Sequence, residues 1–332
     1  MVPNTRFSEL LADIEPSPTT VSSASKAHRD VRKHLESHDD FERRWKRDFL
    51  AGSYARDTSI RPKKSEDGIE RPDVDIIVVT NYDTSDDPDD VLQDLADALS
   101  DEFQVERINK RSVRLKTSGA EIDVVPVTEW GGAYQLPDRD LGRWKTTDPP
   151  GHINWSCKQN ELFACRFKPL VKLFKWWRRE NKTGKRPKGF MLEVLVALHA
   201  PKNESHYGEA FAKMLENIRD AYGSLANAGR KPFIEDPALP GSDILSKVSI
   251  TDWKNFIERV RVHAGYARQA QTTDDMTEAT RLWRKLFGDR FKTSASIVKA
   301  SSLATAAMAP PSVGYTFPNI SATPANRPRG FA

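Results

Sequence analysis

The chain is poor in cysteine and contains no long hydrophobic run. Cys157 and Cys165 are its only cysteines, too few for the disulfide framework of a small secreted domain or for a cysteine-rich zinc site. No apolar stretch approaches the roughly 20 residues that span a bilayer, and the first residues lack the apolar core of a signal peptide. These absences predict a cytoplasmic protein with two reduced thiols and no membrane partner.

The excess of positive charge is also small. The 51 lysines and arginines exceed the 47 acidic residues by only +4, which does not indicate a protein that coats nucleic acid. The distribution is more informative, because acidic residues crowd 83–102 whereas 166–188 is strongly basic. A local basic cluster suits a small polyanionic ligand at least as well as a long duplex.

The hydrophobic pattern changes character near residue 128, with strands predicted mainly before it and helices after it. The predicted strands are 74–79, 103–108, 111–117 and 120–127. The predicted helices are 22–47, 88–101, 156–181, 189–199, 206–228, 252–271 and 274–288. Residues 130–152, rich in Gly, Pro and Asp, predict a connection between lobes.

This order of elements predicts an α+β fold with two lobes. Residues 1–150 would form a catalytic lobe with a mixed sheet, and 151–300 a helical lobe that completes the ligand site. Residues 301–332 are rich in Ala, Ser and Pro. Such a segment buries too little apolar surface to offset its ordering entropy, so we expect a flexible tail.

Three carboxylates on predicted strands form the first candidate site. Asp73 and Asp75 are two residues apart and therefore project to one face of their strand, while Asp123 lies on a later strand. Like charges this close repel each other unless a cation lies between them, and hard oxygen ligands suit Mg²⁺, with Mn²⁺ as the alternative. We therefore predict that Asp73, Asp75 and Asp123 are catalytic residues that bind two metal ions for an in-line displacement at phosphorus.

A Gly-Ser pair precedes these carboxylates at a predicted strand-to-helix junction. Gly52 allows the backbone to approach a phosphate closely, and Ser53 can donate its hydroxyl and amide groups to it. Alone, each feature has a plain explanation, since most Asp-x-Asp pairs are surface carboxylates and most Gly-Ser pairs are turns. Their order along the chain favours a nucleotide-binding site.

The run from Gly52 to Pro62, followed by Asp73-Val74-Asp75, resembles the bacterial cGAS/DncV-like nucleotidyltransferases. These belong to the polymerase-β-like superfamily and are relatives of oligoadenylate synthase and cyclic GMP-AMP synthase. The resemblance extends over roughly residues 25–290. It implies a polymerase-β-like catalytic lobe, a helical lobe and an active site in the cleft between them.

Three further segments carry this resemblance. The helix from Phe167 to Arg179 resembles one that bears a triphosphate-contacting lysine, and Lys175 best matches that lysine. The segment from Ile234 to Pro240 resembles one near the nucleotide in oligoadenylate synthases, which implies a binding role for Asp236. The helix that begins at Gly189 departs from the family, because relatives have a phosphate-contacting serine there.

By resemblance, the chain makes a cyclic di- or trinucleotide second messenger from NTPs, ATP among them, in a CBASS antiphage operon. The base identity, linkage and ring size stay open. One alternative is a template-independent nucleotidyltransferase that modifies RNA ends or small molecules. Another is a catalytically inactive fold that serves as a nucleotide-binding scaffold, although an intact carboxylate triad argues against it.

The tail has three readings. In some relatives an operon-encoded ubiquitin-ligase-like protein activates the C-terminus and joins it to targets, which implies that Ala332 is a conjugation point. Alternatively, Tyr315, Phe317 and Phe331 anchor a HORMA-type regulator through an extended peptide. The third reading is a disordered terminus without function.

Overall fold

The computed structural model describes residues 1–62, 71–181 and 187–293, and the backbone of 64–65 and 68–69. The predicted tail 301–332, including Ala332, lies outside the described residues. By internal contacts the chain divides into two compact units. The sheet unit comprises Pro16–Cys157 and Pro237–Gly241, and the helical unit comprises Met1–Glu15, Lys158–Asp236 and the described residues from Ser242 onward.

The elements are bounded as follows. The helices are α1 Asn4–Ile14, α2 Pro18–Glu36, α3 Gly52–Ala55, α4 Pro88–Ser100, α5 Pro149–Leu162, α6 Phe167–Glu180, α7 Gly189–His199, α8 Tyr207–Asn227, α9 Ile250–Thr272 and α10 Met276–Phe287. The strands are β1 Trp45–Ala51, β2 Lys64–Ser65, β3 Gly68–Ile69, β4 Asp73–Thr80, β5 Val105–Ile108, β6 Val113–Lys116, β7 Glu121–Trp130, β8 Ala133–Asp138, β9 Arg143–Thr147, β10 Glu235–Asp236 and β11 Leu239–Asp243. No helix in this described part of the chain is long and apolar enough to cross a membrane.

The main sheet of the sheet unit is mixed, with strand order β1-β4-β7-β6-β5 and with β8 and β9 added beyond the end of β7. The central pair, β4 and β7, is parallel, whereas β1 and β6 join it antiparallel. This confirms the predicted mixed sheet. The parallel register of β4 and β7 is the feature that positions the candidate site.

The two faces of this sheet differ in what covers them. Side chains of alternate residues, such as Val74, Ile76 and Val124, pack with α2 and α4 in the larger core. The other face carries a smaller apolar cluster that includes Ile77, Val79 and Val127. Because side chains alternate along a strand, Asp73, Asp75 and Asp123 belong to this second face, away from the two helices.

The helical unit is held by an aromatic core. Trp177 stacks on Phe174 with ring centroids 5.2 Å apart, and Trp283 stacks on Phe287 at 5.7 Å. The indole N–H groups of Trp176 and Trp177 donate to Phe287 O at 3.0 Å and to His263 Nδ1 at 3.1 Å. Trp176 and Trp177 are thus core residues and do not present open faces for a nucleobase.

The predicted helix 22–47 is wrong at both ends. Helix α2 begins at Pro18, because the Ser17 hydroxyl accepts from Thr20 N at 3.1 Å and caps the first turn. It ends at Glu36, before the polar segment 38–40, and Trp45 already belongs to β1. Extending a periodic pattern through that polar break was the error.

The predicted helix 156–181 is two helices, α5 and α6. Ala164 and Cys165 between them adopt positive φ angles of 46° and 66°, which a continuous helix does not allow. The Asn160 side chain accepts from Lys168 N at 3.2 Å at the start of α6. This side-chain cap was not visible as a signal in the apolar pattern.

Two further expectations about organisation need correction. Residues 130–152 are not an irregular connection, since β8 and β9 pair there and α5 begins at Pro149. Helix α1 was not predicted. It belongs to the helical unit, whereas the sequence analysis assigns all of residues 1–150 to the catalytic lobe. Phe7 explains this placement, because its ring packs against Trp283 at 4.9 Å.

Candidate active site

The parallel pairing of β4 and β7 brings the three predicted carboxylates together. Asp75 and Asp123 are direct partners in the register, and Asp73 lies two residues earlier on the same face of β4. A single guanidinium nitrogen, Arg114 Nη2, contacts carboxylate oxygens of both Asp73 and Asp123. We refer to Asp73, Asp75 and Asp123 as the carboxylate face.

Gly52 lies directly against this face. It follows the last residue of β1, Ala51, which is the register partner of Asp75. Its φ angle is +65°, and a Cβ atom built on it would fall 1.7 Å from Asp75 Oδ2. Both the left-handed backbone and the lack of space therefore require glycine here. The predicted importance of Gly52 has a physical cause beyond access for a phosphate.

Ser53 occupies the first turn of α3, immediately after this glycine. Its hydroxyl lies 3.1 Å from the Ser59 hydroxyl, and its carbonyl accepts from Thr58 N at 3.0 Å. The segment from Ser53 to Ser59 is therefore a compact loop that folds back on itself. This loop starts at Gly52, which lies against Asp75; the phosphate-binding role of Ser53 stays a prediction.

The electrostatics of the face are unfavourable without a cation. Desolvation raises the pKa of Asp75 to about 6, with Asp123 and Asp73 adding repulsion and Arg56 opposing it. Desolvation also raises the pKa of Asp73, and there Arg114 is the main opposing charge. The Asp75 side chain has no hydrogen-bond or ion-pair partner among the residues that the structure describes.

Arg114 is a residue of this site that the sequence reasoning missed. It is the register partner of Asp123, and its side chain is only 15% exposed. It forms ion pairs with Asp123, with Asp73 at 3.3 Å and with Glu121 at 2.6 Å. The sequence carries part of the signal, since Arg114 alternates with the apolar Val113 and Leu115 and so faces away from their core, but its place beside Asp123 follows only from the strand order.

Asp123 is held by two more neighbours. Asn109 Nδ2 and Ser112 Oγ each donate to Asp123 Oδ1 at 3.1 Å, and Arg114 Nε donates to the same oxygen at 3.2 Å. The other oxygen, Oδ2, accepts from Arg114 Nη2. Both oxygens are therefore engaged. Across the described ranges, no three acidic, His or Cys side chains are arranged closely enough to hold a metal ion.

The donor set of the carboxylate face nevertheless fits a divalent cation. It offers three hard oxygen ligands on one sheet face, and burial, with added repulsion between the carboxylates, raises the pKa of Asp73 and of Asp75. An ion would relieve this repulsion. The Arg114 contacts to Asp123 and Asp73 are the part of the arrangement that has to change.

Lys175 lies in the helical unit, in a pocket between α6 and α7. Its side chain is 8% exposed, and its Nζ donates to Glu193 Oε1 at 2.8 Å, with Glu193 fully buried. Lys172 is paired in the same way with Glu15 at 2.8 Å. These lysines do not form a solvated helix face, because each is buried against a carboxylate.

Gly189 contacts the same pocket. A Cβ atom at this position would lie 3.4 Å from Lys175 Cε and 3.6 Å from Nζ. A serine at this position would thus place its side chain beside the lysine ammonium. Asp236 ends β10 and is half-buried. The nucleotide-binding roles of Lys175 and Asp236 stay predictions.

Comparison with known proteins agrees with this geometry. The family model described as "Second Messenger Oligonucleotide or Dinucleotide Synthetase domain" matches residues 1–160. A cyclic AMP-AMP-AMP synthase of an Acinetobacter species is 44% identical over 338 residues, which cover 100% of this chain and 98% of the relative. A cyclic AMP-AMP-GMP synthase of Enterobacter hormaechei is 25% identical over 350 residues, covering 86% and 91%.

A solved structure shows the same fold. CdnC of Escherichia coli with ATP superposes with a TM-score of 0.69 at 20% identity, covering 88% of this chain and 99% of that one. The same protein in complex with HORMA-deltaN gives the same TM-score. The predicted polymerase-β-like fold class is thereby confirmed. With the full-length similarity to a cyclic oligonucleotide synthase, the chain belongs to the bacterial cGAS/DncV-like nucleotidyltransferases of CBASS antiphage systems, enzymes that synthesise cyclic oligonucleotide second messengers from nucleoside triphosphates.

Proposed function

We propose that this enzyme joins ATP into cyclic AMP-AMP-AMP, with Asp73, Asp75 and Asp123 as the catalytic, metal-binding residues. The product is inferred from the relative that is 44% identical over the whole chain. The observation that supports the site is the register of β4 and β7, which puts the three carboxylates on one face beside Gly52. No other group of titratable residues in the described sheet unit combines this charge with an adjacent Gly-Ser turn.

The chemistry is a nucleotidyl transfer repeated until the ring closes. A ribose hydroxyl of one nucleotide attacks the α-phosphorus of the next, the new P–O bond forms, and the bond to pyrophosphate breaks while the hydroxyl proton leaves. Mg²⁺ bound at the carboxylate face, with Mn²⁺ as the alternative, would supply positive charge to the attacking and leaving oxygens. Family membership implies a divalent ion, and Mg²⁺ is our choice because its ligands are hard oxygens.

The chain's own residues supply position and charge. Asp73 and Asp75 would hold the ions, with Asp123 as the third carboxylate ligand. Ser53 donates to the triphosphate from the turn beside the face, and Gly52 allows that turn to lie against Asp75. Lys175, held by Glu193 at 2.8 Å, and Asp236 are proposed as further nucleotide-binding residues.

Incubation with single NTPs and with their mixture tests this proposal. ATP alone should release pyrophosphate and yield a phosphatase-resistant product with the mass of a cyclic triadenylate. A requirement for GTP would instead indicate a mixed ring, and long linear products would indicate a terminal polymerase. Metal-dependent ATP binding without any turnover would favour the scaffold alternative. The D73N/D75N double variant is the matched inactive control.

We further propose a HORMA-type regulator as protein partner. The support is the CdnC structure, whose fold this chain shares and which forms a complex with HORMA-deltaN. Co-expression with the HORMA-type protein of the same operon, followed by size-exclusion chromatography, checks it. Co-elution and a rise in pyrophosphate release are expected. Conjugation through Ala332 stays a separate prediction, tested by deleting Phe331 and Ala332.

A further inference from the structure

Arg114 is the cation that the carboxylate face carries within the protein itself. Its guanidinium pairs with Asp123, Asp73 and Glu121 and is largely buried. Three acidic side chains thus share one positive charge. An ordinary ion pair, whether on the surface or in the core, needs only one carboxylate for each guanidinium, not three.

The contacts are concentrated on Asp123. Arg114 donates to both of its oxygens, and Asn109 and Ser112 add two donors at 3.1 Å. A carboxylate oxygen that is saturated with donors has few lone pairs left for a metal ion. A dication at the face would also stand close to the guanidinium charge and repel it.

We propose that Arg114 is a positioning residue that acts as the resident counter-cation of the carboxylate face, holding Asp73 and Asp123 in the metal-free protein and releasing Asp123 when a divalent ion binds. This inference rests on the proposed metal-binding role of the face. It makes the ion and the guanidinium competitors for the same oxygens. The release of Arg114 therefore lowers the apparent affinity of the free enzyme for metal.

This competition has a functional consequence for the empty enzyme. The face stays folded without a bound ion, because Arg114 partly neutralises it. Occupation by metal then needs enough added negative charge to draw the ion in, which the triphosphate of a bound nucleotide would supply. Arg114 thus sets the metal concentration at which the site fills.

The test measures Mn²⁺ binding to the nucleotide-free, full-length protein by titration calorimetry and by electron paramagnetic resonance of free Mn²⁺. Arg114→Gln removes the positive charge but retains hydrogen-bond donors. Arg114→Lys retains the positive charge but loses the planar guanidinium that binds a carboxylate through two hydrogen bonds. Arg111→Gln is the matched control, since Arg111 lies just before β6 and also pairs with a buried carboxylate, that of Asp138, at 2.6 Å. Asp75→Asn shows which binding belongs to the face.

We expect Arg114→Gln to bind Mn²⁺ roughly ten-fold more tightly than the wild type, a typical coupling between linked sites, with Arg114→Lys in between and Arg111→Gln unchanged. The Mn²⁺ concentration for half-maximal pyrophosphate release should fall in parallel, whether or not kcat falls too. If Arg114→Gln does not fold, the Mn²⁺ affinity of Arg114→Lys relative to wild type tests the inference instead.

Equal or weaker Mn²⁺ binding by the Arg114 variants would overturn the inference while leaving the metal site intact. If Mn²⁺ binding to the wild type were insensitive to Asp75→Asn, the proposed metal site itself would be wrong, and the inference would fall with it. The two failures are therefore distinguishable from one set of titrations.

Discussion

The carboxylate face and the Lys175 pocket treat buried charge in opposite ways. In the pocket, the buried side chains of Lys175 and Glu193 carry opposite charges 2.8 Å apart. On the face, Asp73 and Asp123 pair with the one guanidinium of Arg114, and burial raises the pKa of the neighbouring Asp75 to about 6. Matched charge makes a rigid, finished contact, whereas unmatched charge of one sign indicates a place built for a ligand of the other sign.

Removing a negative charge from the carboxylate face should have the largest effect on catalysis. Asp75→Asn should lower turnover about 10³- to 10⁴-fold, because it weakens the binding of a metal ion that is expected to stabilise the transition state by several kcal/mol. Pyrophosphate release from ATP is the measurement. Asp97→Asn, on the exposed side of α4, is the control and should keep wild-type turnover. A variant at position 75 that retained a tenth of the activity would refute the assigned role.

The pocket should respond mainly in stability. Lys175→Met removes the ammonium that donates to the buried Glu193 carboxylate and should cost about 3–5 kcal/mol in the free energy of unfolding. The double change Lys175→Met and Glu193→Leu should restore much of that loss, since the buried carboxylate is then removed as well. Urea denaturation measures both. Lys26→Met removes an exposed pair with Asp30 and should cost less than about 1 kcal/mol.

A loss below 1 kcal/mol for Lys175→Met would show that the two regions do not differ as described. The same variant also bears on nucleotide binding. If Lys175 contacts the triphosphate, the double variant should regain stability without regaining its apparent affinity for ATP. Recovery of both would make the lysine purely structural.

The contact of Gly52 with Asp75 can be tested by adding one methyl group. Gly52→Ala should reduce turnover about 10²-fold, because a displacement of about 1 Å at a catalytic group has that effect. Gly131→Ala is a close control, since Gly131 also has a positive φ of +60° but no atom within 4 Å of the added Cβ. It should cost about 1–2 kcal/mol of stability and leave turnover unchanged. Equal turnover of the two variants would contradict the packing account.

A smaller effect should appear in the pH dependence of the free energy of unfolding, measured without divalent metal. Burial raises the folded-state pKa of Asp75 above its ordinary value of 3.8 to about 6, so its contribution to stability is present at low pH and is lost as pH rises through 6. In EDTA, Asp75→Asn should be more stable than wild type at pH 7.5, by up to about 3 kcal/mol. The gap should narrow toward pH 5. A constant gap across this range would mean that Asp75 is not strained by its neighbours.

The sequence predicted the parts of the molecule where periodicity and chemistry agree. The β-branched run from Val74 to Val79 can form only a buried strand, and helix α4 carries a clear apolar stripe, so both were placed to within a residue or two. The prediction that Asp73, Asp75 and Asp123 share one site followed from residue types and order, and β4 and β7 bring them together; their catalytic role stays a prediction. The confirmed fold class rested on these segments together with the family resemblance.

The parts that escaped prediction depend on contacts between distant residues. The break between α5 and α6 is made by an Asn160 cap and two residues with positive φ. Helix α1 belongs with the helical unit because Phe7 packs in its aromatic core. Arg114 required knowledge of which strand lies beside β7. None of these pairings can be derived from local pattern without the sheet order.

Anomalous diffraction from crystals grown with Mn²⁺ and a non-hydrolysable ATP analogue tests directly whether Asp73, Asp75 and Asp123 bind the catalytic metal ions. We expect Mn²⁺ peaks within coordination distance, about 2–2.5 Å, of oxygens of Asp73 and Asp75. At least one peak should also be bound by Asp123, and the triphosphate should lie beside Ser53. Nucleotide bound with its Mn²⁺ away from these carboxylates would contradict it.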